Sequence, residues 1–266
     1  MWIEFLGGVG SGKSSLATAL KEHLKTSEFP VSSPQEALDI HLAQNLPGRI
    51  ISSQSRPAVR RALLAGWQTR FSLKHPKLVR QAWNASQELR NLPGWHRRII
   101  FSLFFEVAGW YEGLSNKASS KDLVVVDEGL AHRSINLFAW QSGELNTKRI
   151  QAYIEKLPEI PLTILVGAPM QICLERAYNR GLPVRLRGKD PETIRRFIEN
   201  SHTIAAQVGK ILASNGRLVI KIDNSSALEQ SIAILSRQMI ETVGFQKQLI
   251  KTYQTSFSQT AEDETL

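Results

Sequence analysis

Five short apolar stretches alternate along the chain with segments whose apolar positions recur at helical spacing. The stretches are Trp2 to Leu6, about Phe29 to Ser33, Leu123 to Asp127, Leu162 to Val166 and Leu218 to Asp223. Several are near-continuous runs of β-branched and leucine residues, which suits strands covered by helices on both faces of a parallel sheet. Helical spacing is read at Lys13 to Leu24, Leu130 to Gln141, Thr147 to Lys156, Met170 to Asn179, Pro191 to Ser214 and Ala227 to Gly244. In the first of these, Leu16, Leu20 and Leu24 share one face. Strand alternating with helix predicts an α/β fold, a doubly wound parallel five-stranded sheet flanked by helices.

Two segments break the alternation. Residues 45–118 read as a mostly helical insert in which Pro57, Pro76 and Pro93 each mark a helix start or break. Residues 178–190 form an arginine-rich loop punctuated by glycine and proline. The expectation is one domain over 1–250 that carries both, followed by a disordered tail over 251–266, which is polar with acids at Glu262, Asp263 and Glu264.

The first strand runs directly into Gly7-Gly8-Val9-Gly10-Ser11-Gly12-Lys13-Ser14, a complete G-x-x-x-x-G-K-[ST] phosphate loop, and a helical pattern follows at once. Strand, loop and helix in that order aim consecutive backbone N–H groups at an anion. Gly8, Val9, Gly10, Ser11, Gly12, Lys13, Ser14 and Ser15 are therefore the expected nucleotide-binding residues. Lys13 would reach the β/γ-phosphates, and the Ser14 hydroxyl would ligate Mg²⁺. The expected fold is that of a P-loop NTPase with ATP and Mg²⁺ as its cofactors.

Composition narrows the setting. The single cysteine, Cys173, excludes an internal disulfide and lies between Ile172 and Leu174 on a predicted helix, where it packs. The most apolar run, Ile99 to Phe105, is too short to span a bilayer, and the expected location is the cytoplasm. Net charge is +9, but residues 46 to 98 alone hold eleven Lys or Arg against one acid, Glu88, which leaves the rest of the chain near neutral. This basic insert reads either as a surface that meets an anion or as a solvated helical face.

Further chemistry follows the third and fourth strands. Val124-Val125-Val126-Asp127-Glu128 has the form of a Walker B element, in which a carboxylate at a strand end beside the phosphate loop holds Mg²⁺ or its waters. Asp127 is the candidate metal ligand. Glu128 either orients an attacking water or accepts a proton from an acceptor hydroxyl. Arg133, six residues after Asp127, is a candidate for gripping an anionic acceptor. In Glu175 to Arg187, Arg176 and Arg180 stand four apart on a helix end, and Arg185 and Arg187 alternate on the loop beyond. Cationic fingers on a closing lid answer the charge that spreads over a transferring phosphoryl group. Lys13, Asp127, Glu128, Arg176 and Arg180 are the candidate catalytic residues, with Arg185 and Arg187 on the substrate side.

The run from Pro161 to Gly181, with Ala-Pro-Met-Gln-Ile-Cys-Leu-Glu-Arg and then Arg-Gly, resembles the fourth strand and lid entry of the thymidylate kinase and deoxynucleoside kinase group of P-loop kinases. Leu218 to Asp223, followed by Asn-Ser-Ser-Ala-Leu-Glu-Gln, resembles the fifth strand and last helix of that group. The likeness covers about 1–44 and 120–244. It implies that Lys13, Ser14 and the lid arginines serve ATP, that the loop at Asp223 meets the adenine, and that the acceptor lies beneath the insert. The acceptor motifs depart from the group: Glu128-Gly129 stands where thymidylate kinases have Arg-Tyr, and Glu36, the nearest acid to the second strand, follows Ser33-Pro34-Gln35. Glu36 and Arg133 are the substrate-binding candidates on that side.

The leading expectation is a kinase that transfers the γ-phosphoryl group of ATP to a small anionic or hydroxyl-bearing acceptor, whether nucleotide, nucleoside or sugar-type. A regulatory ATPase is the alternative suggested by Asp127-Glu128, although the chain lacks a Leu-Ser-Gly-Gly-Gln signature and Asn116-Lys117-Ala118-Ser119 fails the guanine motif. A polynucleotide kinase or nucleic-acid-binding ATPase, suggested by tryptophans interleaved with the basic insert, ranks third. The aromatic residues of the insert are expected mostly to pack helices. The sequence is compatible with a homodimer, and the six histidines show no metal-ligand spacing.

Overall fold

The structure, a computed structural model, describes residues 1–26, 30–45, 56–115, 123–141 and 143–243. Five parallel strands, β1 (Trp2–Leu6), β2 (Val31–Ser32), β3 (Leu123–Val126), β4 (Leu162–Gly167) and β5 (Val219–Asp223), lie in the order β2-β3-β1-β4-β5. The described residues also form ten α-helices, α1 (Lys13–Thr26), α2 (Pro34–Asn45), α3 (Arg56–Lys74), α4 (Pro76–Glu88), α5 (Gly94–Leu114), α6 (Leu130–Phe138), α7 (Thr147–Ile154), α8 (Met170–Asn179), α9 (Pro191–Ser214) and α10 (Leu228–Val243), and a 3₁₀ turn at Val184–Leu186.

The expected α/β architecture is present, and β1 sits at its centre with β3 and β4 on either side. This order matters because the turns leaving β1 and β3 emerge side by side, where a switch in strand order opens a crevice. The core forms on both faces of the sheet. On one, Leu16 and Leu20 of α1 pack with Ile3, Phe5, Ile164 and Leu235 and are fully buried. Each such leucine contributes about 1.5–3 kcal/mol.

On the other face, Trp2, Leu6, Val124 and Val126 join Phe71, Leu78, Phe104, Val107 and Tyr111 in one continuous core. Helices α3, α4 and α5 of the insert therefore share the core of the sheet. Pro57 and Pro76 fall in the first turns of α3 and α4, and Pro93 is the N-cap of α5, where a missing N–H costs nothing. Part of the insert's positive charge is paired internally: Arg70 and Lys74 both bind the buried Glu112 carboxylate, and Arg60 pairs with Asp39.

Some boundaries differ from the pattern. β3 stops at Val126 and leaves Asp127 in the turn, while α6 ends at Phe138 and α7 at Ile154, each short of the expected limit. β2 is only two residues long among the described residues, and Phe29 and the tail over 251–266 lie outside them. No helix among the described residues is long and apolar enough to cross a membrane.

Candidate functional site

The phosphate loop leaves β1 at Leu6 and enters α1 at Lys13. It turns through positive φ at Gly10 (80°) and Gly12 (83°), a conformation that costs glycine little. A Cβ at Gly10 would run into the Cys173 carbonyl oxygen, and one at Gly12 into the side-chain amide of Asn224, so backbone presses close on the first and a side chain on the second. Cys173 is fully buried there, in the packing role expected of it.

Two sets of hydrogen bonds hold the loop. Just past β5, Asn224 donates from Nδ2 to the Ser11 carbonyl (2.9 Å) and from its backbone N–H to Gly167 O (2.7 Å), and its own carbonyl accepts from Arg176 Nη1 (2.9 Å). From α9, Ser201 Oγ accepts the Val9 N–H (3.0 Å), and His202 Nε2 lies 2.8 Å from the Val9 carbonyl. That carbonyl can only accept, so the hydrogen sits on Nε2 of His202. Burial lowers the pKa of the ring, and the bond to Val9 only partly opposes this. The histidines show no metal-ligand spacing along the chain, and neither Ser201 nor Asn224 belongs to a recognisable motif. No local pattern betrays contacts made across about two hundred residues.

The turn after β3 brings its carboxylates to the loop. Lys13 Nζ stands 3.1 Å from Glu128 Oε1 and 3.6 Å from Asp127 Oδ1. From the first turn of α6, Arg133 Nη1 binds Glu128 Oε2 at 2.8 Å, and the buried ring of His132 approaches Oε1 to 3.5 Å. Burial disfavours the charge on Glu128, but His132, Lys13 and Arg133 outweigh it and hold the carboxyl well below the usual carboxylate range. His132 is driven down to about 4 by burial and by the neighbouring Lys13, so its ring is neutral at neutral pH.

Two cavities meet at Glu128. The first, about 350 Å³, is lined by the phosphate loop with Lys13 and Ser14, by His132 and Ile135, and by Arg180, Arg185 and Arg187 across it. The second, about 330 Å³, lies between α1, the start of α2 and α5, with Lys21, Gln35, Trp110, Asp127 and Arg133 in its wall. Glu128 lines both. Asp127 Oδ1 is buried without a hydrogen bond and Asp127 lines the second cavity, while Ser14 lines the first, so the donors present for a Mg²⁺ are one carboxylate and one hydroxyl, and its remaining oxygens would come from phosphates and water. No cluster of three His, Cys, Asp or Glu that could hold a metal occurs among the described residues.

The lid arginines are held differently from one another. Arg180 caps the C-terminus of α8 and is exposed over the first cavity. Arg185 is tethered by Asn136 Oδ1 at 2.9 Å and lies over the Phe197 ring, 5.3 Å from its centroid. Its pKa is lowered by burial, which Glu128 opposes and Arg133 and Arg180 reinforce. Arg187 is exposed and bonds the Leu182 carbonyl.

Several candidates fall elsewhere. Glu36 lines neither cavity; its carboxylate accepts the Ser33 N–H at 2.6 Å while Ser33 Oγ accepts from Glu36 N, a capping box for α2. That bond, ahead of the Ser33 hydroxyl and Lys25, lowers its pKa. Asp223 is exposed and accepts the Ser225 N–H in a turn beside the Asn224 clamp. Ser15 is exposed on α1, and Ser11 is buried beneath the loop. Arg133 reaches the second cavity with its guanidinium already engaged by Glu128.

No protein-family model matches the chain, and no curated protein does. Among solved structures, the chain is similar to deoxyadenosine kinase from M. mycoides with the products dCMP and a flexible dCDP bound, at 12% identity and a TM-score of 0.48 over 91% of this chain and 100% of that one. It is also similar to the same kinase with bound dCTP (10% identity, TM-score 0.42, 91% and 100% covered) and with bound dATP (10% identity, TM-score 0.43, 90% and 99% covered).

Proposed function

We propose that the protein is an ATP- and Mg²⁺-dependent kinase of the thymidylate and deoxynucleoside kinase type, passing the γ-phosphoryl group to a small hydroxyl-bearing or anionic acceptor. The observation that carries this reading is Glu128, which lines both cavities and contacts Lys13 on one side and Arg133 on the other. A residue that only oriented water for hydrolysis needs no second chamber behind it.

The triphosphate tail enters the first cavity, with loop N–H groups and Lys13 around its oxygens and Arg180 and Arg185 facing them. Ser14 and Asp127 would hold Mg²⁺, which when bound neutralises phosphate charge. The acceptor occupies the second cavity. There Trp110 offers a ring surface, Gln35 a two-sided hydrogen-bonding group and Lys21 a cation, a set that suits a base or sugar bearing an anionic group. Glu128 is ionised at neutral pH and accepts the hydroxyl proton as the acceptor oxygen bonds to the γ-phosphorus and the bond from that phosphorus to the β,γ-bridging oxygen breaks, with ADP as the leaving group. Catalysis of this kind rests on positioning and charge.

A transfer screen tests the proposal. The protein is incubated with γ-labelled ATP, Mg²⁺ and pools of nucleosides, nucleotides, sugars and short oligonucleotides, and products are identified by mass. Label on a nucleoside, nucleotide or sugar is the expected result. Release of inorganic phosphate unchanged by every pool would replace the kinase reading with an ATPase, and label on oligonucleotides would move the acceptor to a polynucleotide.

A further inference from the structure

Glu4 is a fully buried carboxylate on the central strand, in a run otherwise made of Trp2, Ile3, Phe5 and Leu6. A charged group there is costly unless hydrogen bonds compensate it. Glu4 Oε1 accepts from Trp2 Nε1 and from the backbone N–H of Leu130, and Oε2 accepts from Ala131 N–H, all at 2.9 Å. Leu130 and Ala131 are the first two residues of α6, whose N-cap, Gly129, has no side chain to offer. Helix starts leave N–H groups unpaired, and here a residue more than a hundred positions away supplies the acceptors. Gly129 fits the arrangement because a Cβ there would run into the Glu4 carboxylate. From the other side, the Tyr153 hydroxyl donates to Leu130 O at 2.9 Å.

We infer that Glu4 is a positioning residue for the reaction proposed above: it fixes the start of α6, and through it the register of Asp127, Glu128 and Arg133 against Lys13. The inference rests on the kinase reading. Glu4 pairs in register with Val126, the residue before Asp127, so its carboxylate spans the turn that carries both acids. Burial raises its pKa, and the Trp2, Ala131 and Leu130 donors and Arg133 pull against that. Glu4 lines neither cavity and touches no reacting atom.

The test uses the full chain, Mg-ATP and the acceptor pools of the transfer screen. Glu4→Gln keeps the shape but has one acceptor oxygen, and its amide NH₂ faces an N–H donor. The expected result is a kcat lowered about 10- to 100-fold, the cost of displacing reacting groups by up to about 1 Å, with ATP affinity not weakened, because the phosphate loop has its own clamps and a displaced Glu128 competes less for Lys13. Gly129→Ala drives the carboxylate out from the other side and should give the same split, which keeps the test open if Glu4→Gln does not fold. Glu4→Ala/Gly129→Ala should be no slower than Glu4→Ala alone, since the added methyl group then has room. Both single variants retaining wild-type kcat per nucleotide-binding molecule, or additive losses in the double variant, would overturn the inference and leave the kinase reading intact. A wild-type protein that transfers nothing and consumes no ATP overturns both.

Discussion

Lys13 and Glu128 are joined across 3.1 Å between the phosphate loop and the turn after β3, with Asp127 at 3.6 Å from the same ammonium. The lysine expected to serve the phosphates is thus neutralised by carboxylates until a triphosphate competes for it. Replacing Glu128 by Gln should free Lys13 and tighten ATP binding by up to about tenfold, the worth of one charge-assisted hydrogen bond. The same change removes the proton acceptor and should slow transfer about 100-fold or more. Calorimetric ATP titration beside a transfer assay checks both directions at once; weaker ATP binding would contradict the competition.

Arg176 and Arg180 should respond differently to truncation. Arg180 is exposed over the first cavity, so Arg180→Ala should lower kcat about 100-fold with little change in ATP affinity, as for a group that acts on charge developing in the transition state. Arg176 is bonded to the Asn224 carbonyl behind the loop, so Arg176→Ala should weaken ATP binding as well. Steady-state kinetics with direct binding separates the two.

Asn224→Ala removes the bond to Ser11 O and leaves that carbonyl unpaired beneath the loop. A buried group so orphaned costs about 1–3 kcal/mol. The expected signature is a lower thermal midpoint that ATP partly restores, measured by calorimetric melting with and without the nucleotide.

The buried histidines set the acid response. His132 is lowered to about 4 in the folded protein, below the ordinary value of 6.5, and His202 is lowered too. The unfolded chain therefore binds protons that the native state refuses, and stability falls as pH drops through the window from 6.5 to about 4. The slope is at most about 1.4 kcal/mol per pH unit for each proton. His132→Gln should flatten that part of a denaturation-versus-pH curve; a slope identical to wild type would contradict the assignment.

The sheet and the phosphate loop are legible in the sequence because their signals are local: apolar runs, a leucine stripe on α1, and glycines at the two positive-φ positions. Asp127 and Glu128 are legible for the same reason, since a strand end followed by two acids needs no distant information. Ser201, His202 and Asn224 are not, because each acts on the loop only after α9 and β5 have folded against it. Glu36 shows the opposite error. The Ser-x-x-Glu spacing from Ser33 is a helix-start signal in its own right, and the carboxylate is occupied there. Arg133 is a candidate acceptor residue by its spacing from Asp127, but no local pattern shows that Glu128 already holds its guanidinium.

The most direct test of the account is titration of Mg-ATP into the wild-type protein and into Lys13→Ala. Saturable binding of one equivalent by wild type and its loss in the variant is the predicted result. Equal heats from the two proteins, or none from wild type, would contradict it.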